Sequence, residues 1–179
     1  MKAITTFVTA FFAFASAALA GEVVNNDGSV LRAVTTQICQ SLRGKYTVVY
    51  TSSLVVDSHT TIAGINRSAV FDLVRRNTKS TNLPVNIGCE GAHVVTDADI
   101  DRAIAASTNP VRWDGFYSAF PGADGITQLS LPGYSRDGRS AVVLVSGACG
   151  VLCGAAFYWE LQLRHGKWAR VRTVNAWIS

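Results

Sequence analysis

The sequence predicts an α+β domain in which N-terminal helices pack on an antiparallel β-meander, with disulfide bonds adding stability. Apolar residues recur at helical spacing early in the chain, and they alternate with polar residues in the last third. The chain of 179 residues is 49% apolar and 16% charged, which excludes intrinsic disorder. Since neither an internal repeat nor a low-complexity linker occurs, we expect a single domain over residues 21–179.

Residues 1–20 have the pattern of a secretory signal peptide. Lys2 supplies the positive start, residues 7–14 form a short apolar core, and 18–20 form a small-residue cleavage site before Gly21. A membrane-spanning helix needs about 20 apolar residues, and this run is shorter. We therefore expect a secreted or periplasmic protein that has no membrane span after signal cleavage.

Charge provides little support for nucleic-acid binding. The formal net charge is +4, and the basic residues are scattered, with short clusters at 75–79 and 164–172. These clusters lack the long basic run and interleaved aromatic residues that are typical of nucleic-acid interfaces. The expected partner is therefore an unidentified envelope or extracellular component, and no cofactor is expected.

The N-terminal half predicts helices and short strands in alternation. A helix begins at Asn26 and ends near Gly44, because apolar residues follow helical spacing between these positions. Residues 46–56 are rich in Val, Tyr and Thr and predict a strand. Residues 65–76 predict a second helix, and 85–95 predict a bent pair of strands.

Two further helical segments precede the C-terminal strands. Acidic residues at the start of the segment 96–105 suit a helix N-terminus. Aromatic residues then follow helical spacing, which favours a core role, with a carbohydrate or lipid groove as the alternative. These residues are Trp113, Phe116, Tyr117 and Phe120.

The C-terminal third predicts a meander of strands. A strand over 126–134 is interrupted near Pro132, and Asp137-Gly138 marks a hairpin into the next strand. The apolar run Val142 to Val145 is typical of a central strand that is covered on both faces. Val145 opposite Phe157 would place Cys149 directly across from Cys153.

The last hairpin is predicted to have a three-residue loop, His165-Gly166-Lys167. This register pairs Leu161 with Val171 on the buried face. On the other face it pairs Glu160 with Arg172 and Gln162 with Arg170. A two-residue loop would pair Leu161 with Arg170, which mixes buried and charged positions, and it is therefore disfavoured.

The four cysteines, an even number in an exported chain, favour disulfides over a metal site. The hairpin register favours a Cys149–Cys153 bridge, which leaves Cys39 to pair with Cys89. Loop entropy assigns about 2 kcal/mol to the short bridge and about 4 kcal/mol to the long one. Three residues separate Cys149 and Cys153, so the spacing differs from a thioredoxin-like motif, and a thiol redox role remains an alternative.

The C-terminal motifs are also similar to those of a known group of proteins. The pattern consists of Trp113-x-x-Phe116, Phe120-Pro121, Gly125, Leu129-Ser130, Gly133-Tyr134-Ser135, Cys149-Gly150-x-x-Cys153-Gly154, Gly166-x-Trp168 and Trp177-Ile178-Ser179. It covers residues 113–179 and resembles uncharacterised small exported bacterial proteins. The resemblance implies export and the architecture of the hairpins, and it identifies no catalytic residue.

Polar residues that share a face of the last hairpin form the candidate binding face. They are Tyr158, Glu160, Gln162, Arg170 and Arg172. This face could bind an anionic or peptide ligand, although a solvated, salt-bridged surface is the alternative. The sequence therefore predicts an exported, non-catalytic binding module.

An extracytoplasmic hydrolase is the alternative function, with Glu160 or Asp114 as the candidate carboxylate. A serine site is a weaker possibility. It would combine His59 and Asp57 with a hydroxyl from residues 52–53, and such sites are recognised by geometry rather than spacing. The sequence predicts no metal site.

Overall fold

The computed structural model describes residues 26–107 and 113–179, so the predicted signal peptide lies outside the described residues. The described helices are α1 (Asp27–Cys39), α2 (Arg67–Arg76), α3 (Asp97–Ala105) and α4 (Trp113–Ala119). The strands are β1 (Tyr46–Tyr50), β2 (Ala92–Val95), β3 (Ala123–Leu129), β4 (Gly133–Tyr134), β5 (Ser140–Gly150), β6 (Cys153–Arg164) and β7 (Lys167–Ile178). The α+β class is confirmed.

The strands form a mixed sheet in the order β2-β1-β3-β5-β6-β7, with β4 paired to β5. The prediction of an antiparallel meander is correct for β3 to β7 but wrong for β1, which runs parallel to both β2 and β3. Helices connect these parallel strands, and a helical crossover returns the chain in its original direction.

Helices cover both faces of the sheet. Val143 and Val145 pack with α1 on one face, whereas Val142 packs with α2 on the other. The helices α3 and α4 also lie on the α2 side, where Phe116 is fully buried against Val48. The central position of residues 142–145 and the core role of the α4 aromatics are therefore confirmed.

Capping residues determine where the helices begin. Thr96 and Asp99 form a capping box at the start of α3, as the acidic residues there suggested. Asn66 caps α2 by accepting hydrogen bonds from the Ser68 and Ala69 amides, so this helix begins after the cap. The helix α1 ends before the expected Gly44, because the Ser41 hydroxyl and amide both bond to a carbonyl of the last turn.

Two predicted strands are shorter in the structure. The sequence predicts a strand over 46–56, but β1 ends at Tyr50. Beyond it, the Leu54 amide bonds to Leu129 and the Val56 amide bonds to Asn77, so the backbone leaves the sheet. Over residues 85–95, where the sequence predicts a bent pair of strands, the structure has the single short strand β2.

The β5–β6 hairpin has the predicted register, with Val145 opposite Phe157. A bulge between Ala148 and Gly150 then places Gly150, rather than Cys149, opposite Cys153. The displacement is a single residue, as expected of a bulge, and the two cysteines still form a disulfide.

The predicted three-residue loop between β6 and β7 is wrong. His165 and Gly166 have φ values of 50° and 74°, which are typical of a two-residue type I′ turn. Leu161 consequently pairs with Arg170. A bulge beside Leu161 then shifts the register, so that Glu160 pairs with Arg172 as predicted.

Candidate functional site

The structure does not bring the five residues of the predicted binding face together on one surface. Arg172 Nε lies 3.6 Å from Glu160 Oε2, so these two residues meet. The two-residue turn pairs Arg170 with Leu161 and so places Arg170 on the opposite face, where its guanidinium lies 4.1 Å from the centre of the Trp159 ring. Tyr158 packs against the core beneath α2, and Gln162 accepts a hydrogen bond from Arg164.

The Glu160–Arg172 pair lies under a loop rather than in an open cleft. Glu160 is buried on the α2 side of the sheet. Arg172 Nη1 would lie 2.2 Å from a Cβ added to Gly64, so the guanidinium packs directly against this glycine. The Glu160–Arg172 pair therefore packs against the loop over 58–65.

The residues of the alternative serine site have other partners. The Ser52 hydroxyl donates to Asp97 at 2.7 Å, and the Ser53 hydroxyl accepts a bond from the Thr81 amide. Asp57 accepts a hydrogen bond from the backbone N–H of His59, which forms a turn. Within 26–107 and 113–179, no hydrogen bond connects these groups into a relay.

The hydrolase candidate Asp114 belongs to α4, far along the chain from Glu160. Asp114 accepts a hydrogen bond from the Ser107 hydroxyl. This contact links the start of α4 to the end of α3, which is a structural role for the carboxylate.

All four cysteines form disulfides, in the expected pairs Cys39–Cys89 and Cys149–Cys153. The short bridge lies at the exposed tip of the β5–β6 hairpin. The described segments contain no group of three or more His, Cys, Asp and Glu side chains that could hold a metal ion.

An apolar cavity of about 720 Å³ lies between α2 and the 58–65 loop. Ile62, Val70, Phe71 and Val74 contribute to its apolar wall, and the lining also includes Arg67 and the hydroxyl-bearing residues of the loop. Phe71 is 72% exposed, although a helix normally turns such a side chain toward the core. The exposed ring and the cavity form a surface that suits an apolar ligand.

A second cavity, of about 930 Å³, adjoins the first and is basic. Its lining includes Arg67, Arg75 and Arg136. Among the described residues, the only carboxylate in this lining is Asp72, which pairs with Arg75 at 2.6 Å. Arg67 and Phe71 line both cavities, so we treat the two as one surface, called the α2 site.

Close packing fixes the basic wall of the α2 site. A Cβ added to Gly133 would lie 2.1 Å from the Leu73 amide nitrogen, so only glycine lets β4 approach the backbone of α2. Beside this contact, the Tyr134 amide donates to Asp72 at 2.9 Å and the Arg136 amide donates to the Ser68 hydroxyl at 3.2 Å. The backbone segments that carry these arginines are therefore held together by close packing and hydrogen bonds.

The ion pair between Arg76 and Asp27, whose side chains are largely buried, stabilises the packing of β4 on α2. Arg76 bonds to both oxygens of Asp27, at 2.7 and 3.0 Å, and also donates to the Pro132 carbonyl. The Tyr134 hydroxyl donates to Asp27 at 3.0 Å. Burial, with the nearby Asp27 charge, raises the pKa of Tyr134 well above its ordinary value, so this hydroxyl stays protonated.

A third cavity, of about 510 Å³, lies at the hairpin disulfide. Ile38, Phe157, Trp159 and the exposed Leu152 contribute to its apolar lining. The Trp159 Nε1 atom is buried and has no partner among the described residues. No charged residue is among the described residues that line this cavity, so it provides fewer features for recognition than the α2 site.

Comparison with known proteins adds no assignment. No protein-family model matches the chain, and neither the curated proteins nor the solved structures give a significant match. The resemblance to small exported bacterial proteins accordingly stays a prediction. In the part of the chain that the structure describes, no helix combines the length and apolarity needed to cross a membrane.

The α2 site was missed by the sequence analysis, although the sequence contains its signal. Arg67, Phe71 and Arg75 recur at intervals of four residues, which places them on one face of a helix. The buried residues Ala69 and Leu73 lie on another face. The exposed face formed by Arg67, Phe71 and Arg75 can therefore be predicted from the sequence once the buried face of α2 is known. The contribution of Arg136 to the site cannot be predicted in this way, because Arg136 lies in a hairpin that is distant in the sequence.

Proposed function

We propose that this protein is an exported, disulfide-stabilised binding module, and that the α2 site is its ligand-binding surface. The observation that carries this proposal is the exposed ring of Phe71 at the junction of an apolar and a basic cavity. Ligand sites combine an apolar wall with a few orienting polar groups, and this surface has both.

Two disulfides support the predicted location outside the cytoplasm. Disulfides form and persist in secreted and periplasmic proteins, whereas cytosolic thiols are kept reduced. The candidate catalytic groups also support a binding role, because their contacts are structural. The Ser52 hydroxyl bonds to Asp97 at the start of α3, and Asp57 bonds within a turn. The Glu160 carboxylate pairs with Arg172, which packs against Gly64 in the 58–65 loop.

A neutral fluorescent probe, N-phenyl-1-naphthylamine, tests the binding surface. We expect it to bind the purified mature protein, and Phe71→Ser to weaken binding by about tenfold, because the variant removes the aromatic wall. Since Phe71 is exposed, thermal unfolding should show an unchanged fold. The matched control is Leu152→Ser, which removes an exposed apolar residue from the third cavity.

The control variant should bind the probe as the unsubstituted protein does. Absence of probe binding would overturn the proposal. Loss of binding in Leu152→Ser with full binding in Phe71→Ser would also overturn it, because the hairpin cavity would then be the binding surface.

A further inference from the structure

We infer that the ligand of the α2 site is an anionic amphiphile, with an apolar chain along the 58–65 loop and a phosphate-like head group among the arginines. This inference rests on the proposed function and adds the chemical class of the ligand. It depends on the balance of charge in the basic cavity and on the position of that cavity beside the apolar one.

The basic cavity has unbalanced positive charge. Three of its lining residues are arginines, and the single lining carboxylate, Asp72, pairs with Arg75. Arg67 and Arg136 form no ion pair with any residue that the structure describes. Two guanidinium groups are thus left without counter-charge in one concave surface, which favours a ligand that brings negative charge.

Most of the other polar side chains of this cavity have partners among the described residues. Asp72 uses one oxygen for Arg75 and the other for the Tyr134 amide. The Ser135 hydroxyl donates to Asp137 at 2.6 Å, which lowers the pKa of that carboxyl. The Ser68 hydroxyl bonds to Asn66 and Arg136. Among the described lining residues, the arginine side chains and the Asn66 side-chain NH2 group are consequently the donors left for a ligand, and the arginines alone bring positive charge.

Guanidinium groups match the chemistry of a phosphate. Each presents a planar fork of N–H donors that binds two oxygens of a phosphate or carboxylate at once. A phosphate monoester carries close to two negative charges near neutral pH, which equals the excess formed by Arg67 and Arg136. A single carboxylate would leave one of the two guanidinium groups without counter-charge.

The shared lining residues place the apolar chain next to the head group. Arg67 and Phe71 belong to both cavities, so a ligand that reaches the arginines can continue over the Phe71 ring. Ile62 and Val74 then extend the apolar wall. A free phosphate would use only the basic cavity, and an uncharged chain would use only the apolar one.

Isothermal titration calorimetry with three probes distinguishes the contribution of the anionic head group from that of the apolar chain. The probes are octyl phosphate, 1-octanol and inorganic phosphate, each titrated into the mature, oxidised protein. We expect octyl phosphate to bind at least about tenfold more tightly than either of the other two, because it alone uses both cavities.

Variants then assign the head group to the arginines. Arg67→Gln and Arg136→Gln should each weaken octyl phosphate binding by about tenfold, since each removes a charge-assisted contact. Arg136→Gln should leave octanol binding unchanged, because Arg136 lines the basic cavity and not the apolar one. The matched control is Arg139→Gln, because Arg139 is an exposed arginine of the same hairpin that does not line the cavity. This control should retain the affinity for octyl phosphate.

The outcomes separate this inference from the proposed function. Octanol and octyl phosphate binding equally would overturn the anionic head group while the binding surface stands. Equal binding of inorganic and octyl phosphate would overturn the apolar chain. If no probe binds, both the inference and the proposed function fail.

Discussion

Arg76 connects three segments that are distant in the sequence. Its guanidinium bonds to Asp27 at the start of α1 and to the Pro132 carbonyl before β4, and it lies over the Tyr134 ring. The side chains of Arg76 and Asp27 are only 12% and 16% exposed. In such a setting, each charge depends on its partner, because removing one leaves the other buried and uncompensated.

The variant Arg76→Met should therefore lower the free energy of unfolding by about 3 kcal/mol, because it leaves the Asp27 carboxylate buried without its cation. Chemical denaturation monitored by circular dichroism measures the change. The matched control is Arg102→Met, whose pair with Asp99 is exposed to solvent and should contribute little to the free energy of unfolding. Equal losses in the two variants would show that the Asp27–Arg76 pair is not a special source of stability.

Among the elements, those with strong local signals could be predicted from the sequence. The capping box of α3 requires only Thr96 and Asp99, and the register of β5 and β6 follows from alternation. The β6–β7 turn could not be predicted in this way. Type I′ geometry at His165 and Gly166 gives a two-residue loop. The resulting register places the charged Arg170 over the Trp159 ring, which stabilises it.

The two disulfides stabilise different elements and should differ in strength. Cys39–Cys89 closes a loop of 50 residues between α1 and the segment before β2, whereas Cys149–Cys153 closes only the tip of a hairpin. The double variant Cys39→Ser/Cys89→Ser should lose about 4 kcal/mol of unfolding free energy, and Cys149→Ser/Cys153→Ser about 2 kcal/mol. Denaturant titration of each variant measures these losses. A greater loss from the hairpin pair would contradict the loop-entropy explanation.

In the whole molecule, the pairing of the antiparallel strands could be predicted from the sequence, whereas the pairing of the parallel strands could not. The antiparallel strands β5 to β7 are joined by short turns, so their neighbours are set by local sequence. The parallel strands β1, β2 and β3 are joined through helices, and nothing local specifies which strands pair across such connections. The same reason explains why the α2 site was missed, since Arg67 and Arg136 meet only through the tertiary fold.

The location of ligand binding tests the central claim most directly. Backbone amide chemical shifts measured during titration with octyl phosphate would map the binding surface over the whole molecule. We expect the shifts to cluster in 58–75 and 134–136, which contain the residues that line the α2 site. Shifts that cluster instead at residues 147–157, beside the hairpin disulfide, would contradict the assignment of the α2 site as the ligand-binding surface.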